Sequence, residues 1–407
     1  MNKFICLLTI HGIGFEEPPH DGIPGYADSL HEHLSKKLDK SILGDDPLRS
    51  RSQRGQNGPI YIQSFWPPGS ENMEPELARL GNWDDQHGKL IDISKVPLAE
   101  NGARIVHIAL VYSHLEGKKP RLEPLFHIIA MGAFSLRHYA RTRIMNVLRI
   151  VFSSIPTLFK HQPQTQDGRS AQPSLRVRSD SEVWHARGSP TGLFTIIKQL
   201  ENDVAAYVCF NDRRERVRSF VREAIFRLAY REDVAGIVVN AHSNGTVVAF
   251  DVLRELPPDA AAKVLGFITA GSPLLKYTDL FHWGNEVGSI QRIKTWMNFC
   301  DPNDPVADPL NLPDSQHSHK KHRWMKKSHA YHHWLYQSID PRTGHPTDVD
   351  IANPPVDNVK NSLGGGLQAH NYWDNDPDFI QQLVRFLQQL VASEFNQPPA
   401  SRNNYAG

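Results

Sequence analysis

The 407-residue sequence predicts an α/β fold, a mostly parallel central sheet flanked by helices with a helical cap insertion. Three observations predict it. Short continuous runs of β-branched and aromatic residues alternate with segments of helical periodicity. The runs are apolar throughout, as strands covered on both faces are. One run ends in a small-residue turn that passes directly into a helix.

In chain order, Phe4 to Ile10 is a seven-residue β-prone run that meets the glycine-rich His11-Gly12-Ile13-Gly14. Behind Met1-Asn2-Lys3 it faintly resembles a secretory leader, but its apolar core is at the short end and no small-residue cleavage site follows. A buried strand is expected. Tyr26, Leu30, Leu34 and Leu38 then fall on one helical face. Residues 48–58 are polar and read as loop. Ile60 to Trp66 and Ile105 to Tyr112 are two more strands, joined by a Pro/Gly/Asn-rich connection to which no structure is assigned.

Downstream, Asp203 to Tyr230 has helical spacing, and Val234 to Ala241 is a strand. Thr246 to Leu256 is a helix stopped by Pro257 and Pro258. Val264 to Ala270 and Ile293 to Cys300 are strands, and Asp378 to Glu394 is a closing amphipathic helix. The expected organisation is an N-terminal part of the core over 1–113, a helical cap or lid with a mobile loop over 114–195, a C-terminal part of the core over 196–395, and a disordered tail over 396–407.

Composition sets limits. Lys plus Arg is 45 against 44 for Asp plus Glu, so there is no global field to attract nucleic acid. The arginines of the Arg213–Arg222 stretch are interleaved with Glu215 at helical spacing, which fits a solvated helix face and no nucleic-acid contact. Cys6, Cys209 and Cys300 lie far apart in apolar runs, as expected of buried thiols in a reducing compartment. No apolar stretch reaches 18 residues, so no spanning helix is expected, and the expected location is cytoplasmic.

The strongest chemical signal lies at Ala241-His242-Ser243-Asn244-Gly245. A serine on a sharp strand-to-helix turn has its hydroxyl presented above the sheet, and small residues on either side let the backbones approach. The Asn244 N–H, at the new helix terminus, is placed to meet a developing oxyanion. A serine hydroxyl hardly ionises near neutral pH, so it needs a base. The loop after Thr295 to Cys300 supplies carboxylates at Asp301, Asp304 and Asp308, of which Asp304 is preferred and Asp301 is its rival. His370, delivered by a glycine-rich loop before the last helix, is the preferred base. His317, His319, His322, His329, His332 and His333 sit among Lys320, Lys321, Lys326 and Lys327. That stretch reads as solvated, and without a carboxylate partner it is not expected to hold a metal.

These segments, with Thr269-Ala270-Gly271-Ser272-Pro273-Leu274, resemble the α/β-hydrolase superfamily and its serine esterase and lipase branch, over residues 1–40 and about 200–395. The resemblance implies Ser243 as nucleophile, His370 as base and Asp304 as orienting acid, with oxyanion donors from Ile13 or Gly14 and from Asn244. His11, Gly12, Ala241, His242 and Gly245 would support the turn. Ala241 stands where the family usually has glycine. The implied reaction is hydrolysis of a small-molecule or lipid ester through an acyl-enzyme, with no cofactor. An amide or thioester substrate and a non-catalytic binding protein of the same fold are the alternatives.

The insertion matches no known pattern. Its segment 117–160 carries an apolar helical face (Ile144, Val147, Leu148, Val151, Phe152, Ile155) and eight Lys/Arg against the single acid Glu123. A cap helix packed on the core is the plainer reading. A lid making peripheral membrane contact is the other.

Overall fold

The computed structural model describes residues 3–12, 25–46, 58–65, 76–79, 102–112, 207, 211–274, 293, 295–304, 306–307, 309–310, 337–339, 346–348, 351–361 and 369–395. In chain order the strands are β1 (Phe4–Ile10), β2 (Leu43–Gly44), β3 (Ile60–Phe65), β4 (Glu76–Arg79), β5 (Ile105–Val111), β6 (Val234–His242), β7 (Val264–Ala270), β8 (Trp296–Phe299), β9 (Gln337–Ile339), β10 (Pro346–Asp348) and β11 (Ile351–Ala352). Nine of them form one sheet in the order β11-β8-β7-β6-β1-β5-β3-β4, with β2 also paired to β5. Only β4, against β3, runs antiparallel in it. Strands β9 and β10 pair separately.

Why these runs form central strands is visible in their two faces. All seven residues of β1, β5 and β7 are buried. Side chains alternate across a strand, so Phe4, Cys6, Leu8 and Ile10 enter one apolar cluster and Ile5 and Leu7 the other. Helices α1 (Asp28–Ser35), α2 (Asn211–Ala229), α3 (Asn244–Leu253) and α4 (Gln381–Phe395) cover them. Helices α2 and α3 pack on the first face through Val217, Phe220, Val221, Val247 and Phe250. On the other, α1 and α4 contribute Leu30, Leu34, Leu383 and Leu387. Each such side chain, fully buried, stabilises by about 1.5–3 kcal/mol relative to exposure.

The mostly parallel sheet with helices on both faces is the architecture the sequence predicts. It also locates the site. The chain leaves β1 to build the β5, β3 and β4 side, then returns to β1's other edge with β6. The order reverses at β1, and open sheets of this kind take ligands beyond the carboxyl ends of the strands at such a point.

Several expectations are adjusted. The connection left without structure contains β4. Helix α4 is preceded by a wide turn at Asp376–Ile380, and the Asn375 side chain caps it by accepting from the Asp378 N–H at 3.1 Å. Cys6 is buried, whereas Cys300 at the end of β8 is only half-buried. The arginine stretch is no plain solvated face. Asp251 of α3 is wholly buried and accepts from Arg214 (Nε 2.9 Å, Nη2 3.1 Å) and Tyr207 (3.0 Å), with Arg218 Nε 3.2 Å away. These arginines clamp α2 onto the helix that follows Ser243.

The insertion over 114–195 with its basic stretch, the His/Lys-rich stretch from 317 to 333 and the tail 396–407 all lie outside the described residues, as do Cys209 and Asp308. Among the described residues no helix is long and apolar enough to cross a membrane, and no His/Cys/Asp/Glu group could hold a metal ion.

Candidate active site

Strand β6 runs into α3 with no loop between them, so one residue must absorb the change of direction. Ser243 does so at φ 53° and ψ −129°, the one non-glycine residue with positive φ among the described residues. Such a conformation costs on the order of 1–3 kcal/mol and persists where its surroundings enforce it. Here the Ser243 N–H donates to Ala270 O on β7 at 2.9 Å. Its carbonyl accepts from the Thr246 N–H (3.0 Å) and the Thr246 hydroxyl (2.7 Å). The following N–H, of Asn244, belongs to the first turn of α3, the end of the helix that favours negative charge.

The glycines around the turn are fixed by the close approach of the end of β1 to the turn. A Cβ on Gly245 would lie 2.2 Å from His11 O and 2.7 Å from Ile10 O. One on Gly12 would lie 2.4 Å from the Ser243 Cβ. Gly245 is therefore small because the end of β1 passes over it, rather than because β6 and α3 approach each other. Ala241 points into the apolar cluster beneath α3. His11 steadies the passing segment. Its ring stacks on Tyr112 with centroids 3.9 Å apart, and its carbonyl accepts from the Tyr112 hydroxyl at 2.7 Å. Its Nδ1 lies 2.7 Å from Gly12 O, and its Nε2 accepts from the Tyr112 N–H at 3.4 Å, so the ring proton sits on Nδ1.

On the other side of Ser243, His370 Nδ1 lies 2.7 Å from Asp304 Oδ2, and both side chains are buried. Asp304 Oδ1 accepts from the Val306 N–H at 2.8 Å. Burial works against the Asp304 carboxylate, but His370 beside it, with hydrogen bonds from His370, Val306 and Tyr372, holds its pKa below the ordinary value. The rival Asp301 faces elsewhere. Its oxygens accept from the N–H groups of Asn303 (2.7 Å) and Asn358 (2.6 Å), and burial raises its carboxyl.

Two contacts bring this pair to the serine. Gly271 follows Ala270, the partner of the Ser243 N–H, and a Cβ there would meet His370 Cε1 at 2.4 Å. Its φ of +63° also favours glycine. His242, the residue before Ser243, places Nε2 2.9 Å from His370 O, and the two rings lie 4.6 Å apart. Burial, and then the nearby His370, push the His242 pKa down to about 3. A neutral His242 therefore donates to that carbonyl. Among the described residues the buried His370 Nε2 meets no hydrogen-bond partner, the Ser243 hydroxyl included. Such contacts often close only when substrate is bound.

The structure thus gathers Ser243, His370, Asp304, Asn244, His242, His11, Gly12 and Gly245 at the carboxyl ends of β1, β6, β7 and β8. Ile13 and Gly14 lie outside the described residues. Two supporting residues escaped the sequence reading. Asn358 joins three segments: its N–H donates to Asp301, its side-chain amide donates to Ala369 O, and its Oδ1 accepts from Asn375 at 2.8 Å. Tyr372 bridges the Asp301 and Asp304 loop. Nothing local in the sequence marks either one, because their partners lie 11 to 71 residues away.

No family model matches the chain, and no curated protein sequence matches it. Among solved structures, a protein of Lactobacillus plantarum WCFS1 provisionally described as a cell surface hydrolase aligns over 98% of this chain and 94% of its own, at 9% identity and a TM-score of 0.33. So distant a likeness adds nothing to the fold read from the strand order.

Proposed function

We propose that this protein is a serine hydrolase that cleaves carboxylic esters through an acyl-enzyme on Ser243. The observation that carries the reading is the strained Ser243 at the end of a central parallel strand, with a buried His370–Asp304 pair on the same rim. His370 takes the Ser243 proton as the hydroxyl attacks the ester carbonyl, forming the C–O bond of a tetrahedral adduct. With Nδ1 bound to Asp304, Nε2 is the nitrogen free for that proton. The Asn244 N–H and a second amide from Ile13 or Gly14 would hold the oxyanion, each donor contributing about 2.7–4 kcal/mol to the barrier. The same proton then passes to the departing alcohol, and water, activated in turn by His370, frees the acid.

One triad serves oxygen esters, thioesters and amides, so a panel of all three tests the ester reading. The test is hydrolysis of p-nitrophenyl esters of graded acyl length by the wild type and Ser243→Ala, with thioester and anilide analogues alongside. A serine-dependent ester rate exceeding the others is expected. A rate that survives Ser243→Ala, or preference for the anilide, would contradict the proposal.

A further inference from the structure

We infer that Tyr372 is a positioning residue that tunes the His370–Asp304 pair through Asp304, an inference that rests on the hydrolase reading. The Tyr372 ring is wholly buried, and its hydroxyl donates to Asp304 Oδ2 at 2.9 Å. That is the same oxygen His370 approaches at 2.7 Å. The hydroxyl oxygen in turn accepts from the Asp301 N–H at 2.9 Å. One oxygen atom thus joins the start of the acid loop to its carboxylate.

The chemistry follows from two donors sharing one acceptor. Negative charge drawn toward the phenol is charge withheld from the imidazolium that forms on His370 when it takes the serine proton. Tyr372 keeps Asp304 ionised and aimed while moderating its pull on His370. Its own proton is secure, since burial and the neighbouring Asp304 hold the phenol pKa well above the ordinary value. Among the described residues, the other titratable groups facing the pair are His242 from β6, Asp301 after β8 and, beyond His242, His11 from the end of β1, with Cys300 beside Tyr372.

Two changes in the full-length chain separate tuning from scaffolding. Tyr372→Phe deletes the oxygen, whereas 3,5-difluorotyrosine placed at 372 keeps the hydroxyl and makes it a stronger donor. The first readout is the proton NMR resonance of the His370 Nδ1–H, identified by its loss in His370→Gln, which needs no turnover. The second is the acid limb of kcat/KM for a p-nitrophenyl ester. Phenylalanine moves the limb to higher pH and difluorotyrosine to lower pH, each by roughly half a unit to one unit, with KM unchanged. The Nδ1 resonance moves in opposite senses in the two proteins.

A resonance and limb that stay put in both would overturn the inference, and so would a uniform loss of kcat with no displaced limb, the mark of a loosened loop. If Tyr372→Phe does not fold, the fluorinated protein alone decides. A wild type without any Ser243-dependent rate would refute the hydrolase reading, while the resonance would still decide whether Tyr372 acts on the pair.

Discussion

The nucleophile side and the acid–base side of this site are held by opposite means. Ser243 is fixed by backbone: a positive φ, Gly245 pressed against the end of β1, Gly12 pressed against Ser243 itself, and carbonyl and amide partners on β7 and α3. His370 and Asp304 are fixed by side chains reaching across the chain, through Tyr372, Asn358 and His242. The first arrangement is steric and fails when an atom is added. The second is polar and degrades step by step as hydrogen bonds are removed.

The largest expected effect separates the two aspartates. Asp304→Asn leaves His370 without its anionic partner, and kcat should fall roughly 10³–10⁴-fold with the fold intact. Asp301→Ala removes the acceptor for two backbone N–H groups, so it should cost about 1–3 kcal/mol of stability while kcat falls less than about tenfold. Kinetics and urea unfolding on both variants check this. The reverse pattern would make Asp301 the orienting acid.

Next in size is Gly245→Ala. The added methyl group meets two backbone carbonyl oxygens, neither of which can swing aside, so a loss of about 1–3 kcal/mol or more is expected. Urea unfolding measures it. A neutral result would mean that β1 and α3 are not packed as described.

The last effect is a slope, small at any one pH step. His242 has its pKa lowered from 6.5 to about 3 in the folded state. Between those values the unfolded chain binds a proton that the folded chain refuses, so stability falls as pH drops through that window. The contribution is at most about 1.4 kcal/mol per pH unit. His242→Gln keeps a donor for His370 O and removes the titration, so its unfolding free energy should depend on pH less steeply by one proton. Parallel curves for variant and wild type between pH 6.5 and 3 would show that His242 is not buried neutral.

The same contrast explains what could be read in the sequence. The elbow was legible because its requirements are local: an apolar strand, small neighbours and an immediate helix, all within residues 234–256. The even and odd residues of β1 likewise announced a strand covered on both faces. Asp304 could be preferred over Asp301 only by position, since the hydrogen bonds that distinguish them run to Tyr372, His370 and Asn358. Gly245 was recognised as necessarily small, but its actual obstacle, the carbonyls of Ile10 and His11, lies more than 230 residues away in sequence. The arginines of α2 read as solvated because nothing nearby in sequence shows that Asp251 is buried opposite them.

The central claim is tested most directly by treating the full-length protein with an alkyl fluorophosphonate and locating the adduct by mass spectrometry. The account predicts one phosphonyl group on Ser243, absent from Ser243→Ala and formed far more slowly in His370→Gln. Modification at another serine, or labelling that persists in Ser243→Ala, would contradict it.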